Sequence, residues 1–96
     1  MDREEYKAKA KKSIDDLFNK IDELESKKNE KKGEGKAELE KNLAEIRLKK
    51  AELELKYKAL VSASKEKWEE AKDEFNTSLD SFKEGLSKLG SVFKQY

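Results

Sequence analysis

The sequence predicts an all-α protein: an antiparallel helical hairpin or coiled coil with a long second helix, and a weak point at 61–65 where a third helix can begin. Three observations carry this. Apolar residues recur at alternating spacings of three and four along nearly the whole chain. The proline count is zero, so no ring interrupts a helix from within. The clearest punctuation is a single Gly33-Glu34-Gly35 joint. With 96 residues the chain is expected to form one domain, 1–96. Charged residues make up 47% and the hydrophobic set 34%, too polar a balance for a large core. Stability must then come from seams between helices and from association between chains.

The first helix is expected over about 2–31. Asp2 followed by Glu5 forms a capping-box variant. Tyr6, Ala10, Ile14, Leu17, Ile21 and Leu24 follow as an apolar stripe, widened by Phe18. Glu5–Lys9, Asp16–Lys20 and Glu23–Lys27 have the spacing of favourable pairs. Lys27, Lys28, Lys31 and Lys32 suit a helix C-terminus, Gly33 a left-handed C′ position, and Gly35 the next N-cap. The turn is placed at 32–35 and the second helix at about 36–96.

That second helix carries two apolar seams. Leu39, Leu43, Ile46, Leu53, Tyr57 and Leu60 form one; Ala44, Leu48, Ala51, Leu55 and Ala59 form the other. At ~100° per residue the two lie roughly 160° apart around the helix. Opposed seams ask for a partner on each side. Leu39, Leu43, Ile46, Leu48, Leu53, Leu55 and Leu60 are therefore the candidate self-association residues. A monomeric three-helix bundle, with the middle helix touching both neighbours, is the competing arrangement. Glu45–Lys49, Glu52–Lys56 and Glu54–Lys58 are expected to support the helix locally.

At Val61-Ser62-Ala63-Ser64 either serine can cap a new helix, but Ser64 lacks a Glu or Gln three residues on. A continuous or gently kinked helix is the expectation there. Beyond it, Trp68, Ala71, Phe75, Leu79, Phe82, Leu86, Leu89 and Phe93 form the last stripe. The Phe75-to-Leu79 step shifts the heptad phase, and Asn76-Thr77-Ser78 is a poor helical tripeptide, so a bend is expected. Gly85 and Gly90 each cost about 1 kcal/mol of helix stability against Ala.

Little catalytic chemistry is on offer. The chain has no His and no Cys, which excludes His-based acid–base catalysis, thiol nucleophiles and thiolate zinc sites. The densest acidic group is Glu69, Glu70, Asp73 and Glu74, interleaved with Lys67 and Lys72, and it reads as a solvated face. No catalytic, cofactor-binding or metal-binding residue is assigned, and an enzyme is not expected. Lys plus Arg is 23 and Asp plus Glu 22, with the signs interleaved, so no basic patch for nucleic acid is predicted. The longest strictly apolar run is three residues, far short of a membrane span, and the N-terminus has no apolar signal-like region. A cytoplasmic protein is the expectation.

Three stretches carry a family likeness: Arg3-Glu4-Glu5-Tyr6 at the opening, Ile21-Asp22-Glu23-Leu24-Glu25 before the charged joint, and Ser64 ahead of Trp68-Glu69-Glu70. Together they make the chain resemble short bacterial coiled-coil proteins associated with stress responses. Lys65-Glu66-Lys67 stands where that pattern has small residues. The resemblance implies a small helical protein with no active site and a structural or protective role. The last third more faintly resembles apolipoprotein-type and granule-coating helices. Two functions follow as expectations. One is a self-associating, stress-related coiled-coil protein acting as a homo-oligomer. The other is a peripheral lipid- or granule-surface binder using Trp68, Phe75, Leu79, Phe82, Leu86, Leu89 and Phe93 as its apolar face, a face that also suits a protein partner.

Overall fold

The computed structural model describes residues 2–30 and 33–95. Three α-helices run through them: α1 (Arg3–Ser26), α2 (Glu34–Ser62) and α3 (Trp68–Gln95), with a short 3-10 turn at Lys28–Glu30. They form an up-down-up bundle 51 Å long and 16–17 Å across its Cα positions. No strand occurs among the described residues. The α2–α3 seam is the most extensive contact in the bundle.

α1 starts as the capping pattern predicts, with the Asp2 carboxylate accepting from the Glu5 amide at 2.8 Å. It ends at Ser26, earlier than the expected end near 31. The Ser26 hydroxyl donates to the Glu23 carbonyl at 2.7 Å, offering the backbone an alternative to another α-turn. The Lys27 and Glu30 amides then close tighter i−3 bonds to Leu24 and Lys27. Lys31 and Lys32, expected to complete the helix end, lie outside the described residues. Gly33 does adopt a positive φ of 65°, but as the N-cap of α2 rather than a terminator of α1. Gly35, expected to be that cap, sits buried within the first turn of α2.

The continuous helix anticipated through 61–65 is instead divided. Ala63 leaves α2 in an extended conformation, and the Ser62 hydroxyl donates back to the Lys58 carbonyl at 2.9 Å. The Lys67 amide donates to both the carbonyl and the hydroxyl of Ser64, at 3.1 and 3.3 Å. That is an N-cap contact made without the reciprocal acid. α3 then continues from Lys67, whose carbonyl accepts from Ala71.

The core is one cluster along the bundle axis. α1 contributes Ala10, Ile14 and Ile21, and α2 contributes Leu39, Leu43, Ile46, Leu53 and Leu60. Four of these α2 residues, Leu39, Ile46, Leu53 and Leu60, recur every seven positions and are all 0% exposed. The α3 contribution differs from the predicted stripe. Ala71, Phe75, Phe82, Leu89 and Val92 are buried, and Ser78 joins them at 4% exposure. Leu79 and Leu86 are only partly buried, beside α1 residues such as Tyr6 and Leu24. The unbroken seam facing α2 is thus 71, 75, 78, 82, 85, 89, 92, and no phase shift occurs at Leu79.

Ser78 and Gly85 occupy the small positions of that seam, and both admit α2 closely. The Ser78 hydroxyl donates to Glu52 Oε1 at 3.2 Å. A Cβ on Gly85 would stand 2.7 Å from Ile46 Cδ1 and 3.3 Å from Lys49 Cδ. α3 also runs unbroken through Asn76-Thr77-Ser78, the Thr77 hydroxyl donating to the Asp73 carbonyl at 3.1 Å.

α1 is fastened to α3 at its start. Tyr6 and Trp68 meet edge to face with centroids 5.6 Å apart, and the Tyr6 hydroxyl donates to Asn76 Oδ1. Arg3 and Lys72 flank this pair as cations over Trp68 and Tyr6. Further along, Phe18 tilts against Phe82 at 5.6 Å and carries the Lys50 ammonium over its ring at 4.7 Å.

Candidate interaction surface

The seven predicted self-association residues separate cleanly. Leu39, Leu43, Ile46, Leu53 and Leu60 are consumed by the chain's own α1 and α3. Leu48 and Leu55 are not: they are 75% and 65% exposed. Ala44, Ala51 and Ala59, the remainder of the second seam, are exposed as well. α2 therefore meets both neighbours through one broad inner face, and the opposed seam is left to water. Only one other large apolar side chain among the described residues is exposed, Val61 on the same helix.

The row extends one step beyond the predicted seam. Ala37 is also exposed and stands seven residues before Ala44, which stands seven before Ala51. Leu48 and Leu55 are likewise seven apart. In heptad terms Lys41, Leu48, Leu55 and Ser62 occupy a, and Ala37, Ala44, Ala51 and Lys58 occupy d. The buried Leu39, Ile46, Leu53 and Leu60 then fall at f, on the far side of the helix. Ala37 was legible as part of this repeat, because only the seven-residue step from Ala44 was needed to find it.

Five glutamates and one arginine border the row. Glu38, Glu45 and Glu52 line the edge nearer α3; Glu40, Arg47 and Glu54 line the edge nearer α1. Two of the three lysines expected to neutralise these glutamates four residues on are engaged elsewhere. Lys49 Nζ donates to the Ser81 carbonyl at 3.2 Å, and Lys56 pairs with Glu74 at 3.7 Å. Arg47 is tied to Glu25 of α1 at 2.6 Å, which braces the α1 edge. Local pairing on α1 also differs from expectation, running Lys7–Glu4, Lys11–Asp15 and Lys12–Asp16.

The predicted lipid or partner face takes a different place. Phe75, Phe82 and Leu89 are buried in the bundle, and Trp68, Leu79 and Leu86 pack partly against the core. The side chain of Phe93 lies outside the described residues. No helix is long and apolar enough to cross a membrane among the described residues.

Three of the four acidic residues on α3 are drawn into ion pairs, with Lys72–Glu69 at 3.1 Å, Lys67–Glu70 at 3.7 Å and Lys56–Glu74 at 3.7 Å. Among the described residues no cluster of carboxylates has the arrangement of a metal site. An open cleft of about 500 Å³ at the α2–α3 turn is lined by alanines, serines, the Lys67–Glu70 pair and Glu74. What this molecule presents to its surroundings is thus a patterned apolar row on a rigid helix. No family model matches the chain, and no curated protein or solved structure matches it.

Proposed function

We propose that this is a self-associating helical coiled-coil protein with a structural or protective, stress-related role and no catalytic activity. The observation that carries the reading is the outer face of α2: Leu48 and Leu55 stand in water at regular heptad positions while the core behind them is fully packed. A monomer gains nothing from that placement, because isolated surface leucines need no register. A partner helix does need it. The stress-related setting rests on the resemblance of Arg3-Glu4-Glu5-Tyr6 and its companion stretches to bacterial stress coiled coils, and a cytoplasmic location fits a chain without cysteine. The test is mass in solution over a concentration series, for the wild type and for Leu48→Asp. The reading expects the wild-type mass to rise above 11.1 kDa and the variant to stay there with unchanged helicity. A wild type that remains monomeric to millimolar concentration would refute it.

The lipid- or granule-surface alternative has a structural cost. Phe75, Phe82 and Leu89 would have to leave the core before α3 could lie on a membrane. Each withdrawn side chain forfeits roughly 1.5–3 kcal/mol of burial.

A further inference from the structure

The geometry points to one specific assembly: two copies of this chain packed through the outer faces of their α2 helices, antiparallel, with Leu48 of each opposite Ala51 of the other. The inference rests on the self-association reading and adds to it a direction and a register.

Size complementarity carries the argument. In this register Leu48 faces Ala51 of the second copy, and Leu55 faces its Ala44. The two-fold axis repeats both contacts, so all four central layers pair a large side chain with a small one. A parallel, in-register pair would set Leu48 on Leu48 and Ala44 on Ala44. Wide and narrow layers would then alternate, and two straight helices cannot fill both. Direction is thus written in the alternation of Leu and Ala.

Charge agrees on one edge. In an antiparallel pair each edge of α2 meets its own counterpart. On the α1 edge Arg47 comes opposite Glu54 of the second copy, and symmetry makes this two attractive contacts. In the flanking layers Lys58 faces Lys41 of the second copy, a like-charge contact that the long exposed side chains relieve by turning their ammonium groups into water. Arg47 gives Nε and one terminal nitrogen to Glu25, and its other terminal nitrogen is left for the second copy. On the α3 edge Glu45 meets Glu52. That repulsion is softened because the Glu52 carboxylate is turned towards α3, where it accepts from Ser78.

Area sets the strength. The row from Ala37 to Ser62 is about 38 Å long and about 10 Å wide, so two copies bury roughly 800 Å² in total. That is below the roughly 1,200–2,000 Å² of stable specific complexes and belongs with weak, transient association. The dimer is a reversible, concentration-controlled one.

The natural chain has no cysteine, so introduced thiols are unique. Lys41→Cys and Lys58→Cys, at exposed positions, are prepared separately with different tags, mixed near 200 µM, and oxidised with oxidised glutathione. In the antiparallel register the two positions face each other across the interface, whereas like positions are about 26 Å apart along the axis. The expected product is the mixed 41–58 dimer, at least ten-fold over either like dimer and lost when Leu48→Ser is added to both chains. Like dimers in excess would overturn the register and show parallel association. A wild-type mass that rises with no cross-link at either position would overturn the face while leaving self-association standing. A mass that stays at the monomer value would overturn both, and would assign the row to a different partner.

Discussion

Leu53→Ala and Leu55→Ala form a matched pair, two residues apart on one helix, with identical chemistry and opposite surroundings. Leu53 is 0% exposed in the middle of the inner row, one heptad from Ile46 and one from Leu60, each also fully buried. Truncation removes about three carbon groups at ~0.8 kcal/mol each and leaves a cavity besides, for a loss of about 2.5–5 kcal/mol. A bundle of this size holds roughly 5–14 kcal/mol in all, so Leu53→Ala removes a large share of it. At 4–8 °C per kcal/mol the melting temperature should fall by about 10–40 °C. Leu55 is 65% exposed, and its replacement should stay within about 0.5 kcal/mol of the wild type. The assay is thermal and urea unfolding followed by circular dichroism at low micromolar concentration, where the proposed dimer is dissociated. Equal losses for the two variants would refute the assignment of inner and outer faces.

Three further outcomes follow from the contacts around α3. Gly90 has nothing within 4 Å of an added Cβ, so Gly90→Ala should gain about 1 kcal/mol; Gly85→Ala should lack that gain or lose stability, because Ile46 Cδ1 stands 2.7 Å away, and melting temperatures compare the two. Ser64→Ala removes the cap that starts the last helix and should cost about 1 kcal/mol in urea unfolding. Truncation after Asn76 deletes Phe82, Leu89 and Val92 from the core and should unfold the chain in buffer; a folded remainder, with Trp68 emission in the full chain shifting blue only on adding lipid vesicles, would favour the membrane-binding alternative.

The sequence made the helices and the inner row of α2 legible because every residue of that row is strongly apolar: Leu39, Leu43, Ile46, Leu53 and Leu60 announce their own face. The α3 seam lies one position away from the predicted stripe at three points for the converse reason. Its places at 78, 85 and 92 hold Ser, Gly and Val, beside the more conspicuous Leu79, Leu86 and Phe93. Hydrophobicity marks what fills a seam but not where two backbones approach, and Ser78 and Gly85 serve approach. The break at 63–67 has a weak sequence signature because Ser64 accepts from Lys67 with its own hydroxyl and carbonyl, without the acid that completes a capping box. For the candidate surface, the period of Leu48 and Leu55 was legible, but periodicity cannot tell a covered row from an open one. That needed the positions of α1 and α3, which both pack on the opposite side of α2.

Association through the outer row of α2 is the central claim, and a dilution series of amide NMR spectra on uniformly ¹⁵N-labelled wild type tests it most directly. As concentration rises from tens of micromolar to about 1 mM, the account predicts shift changes concentrated at residues 44, 48, 51 and 55, with α1 and the α3 positions 75, 82 and 89 little affected. Changes centred on α3, or none anywhere along α2, would contradict it.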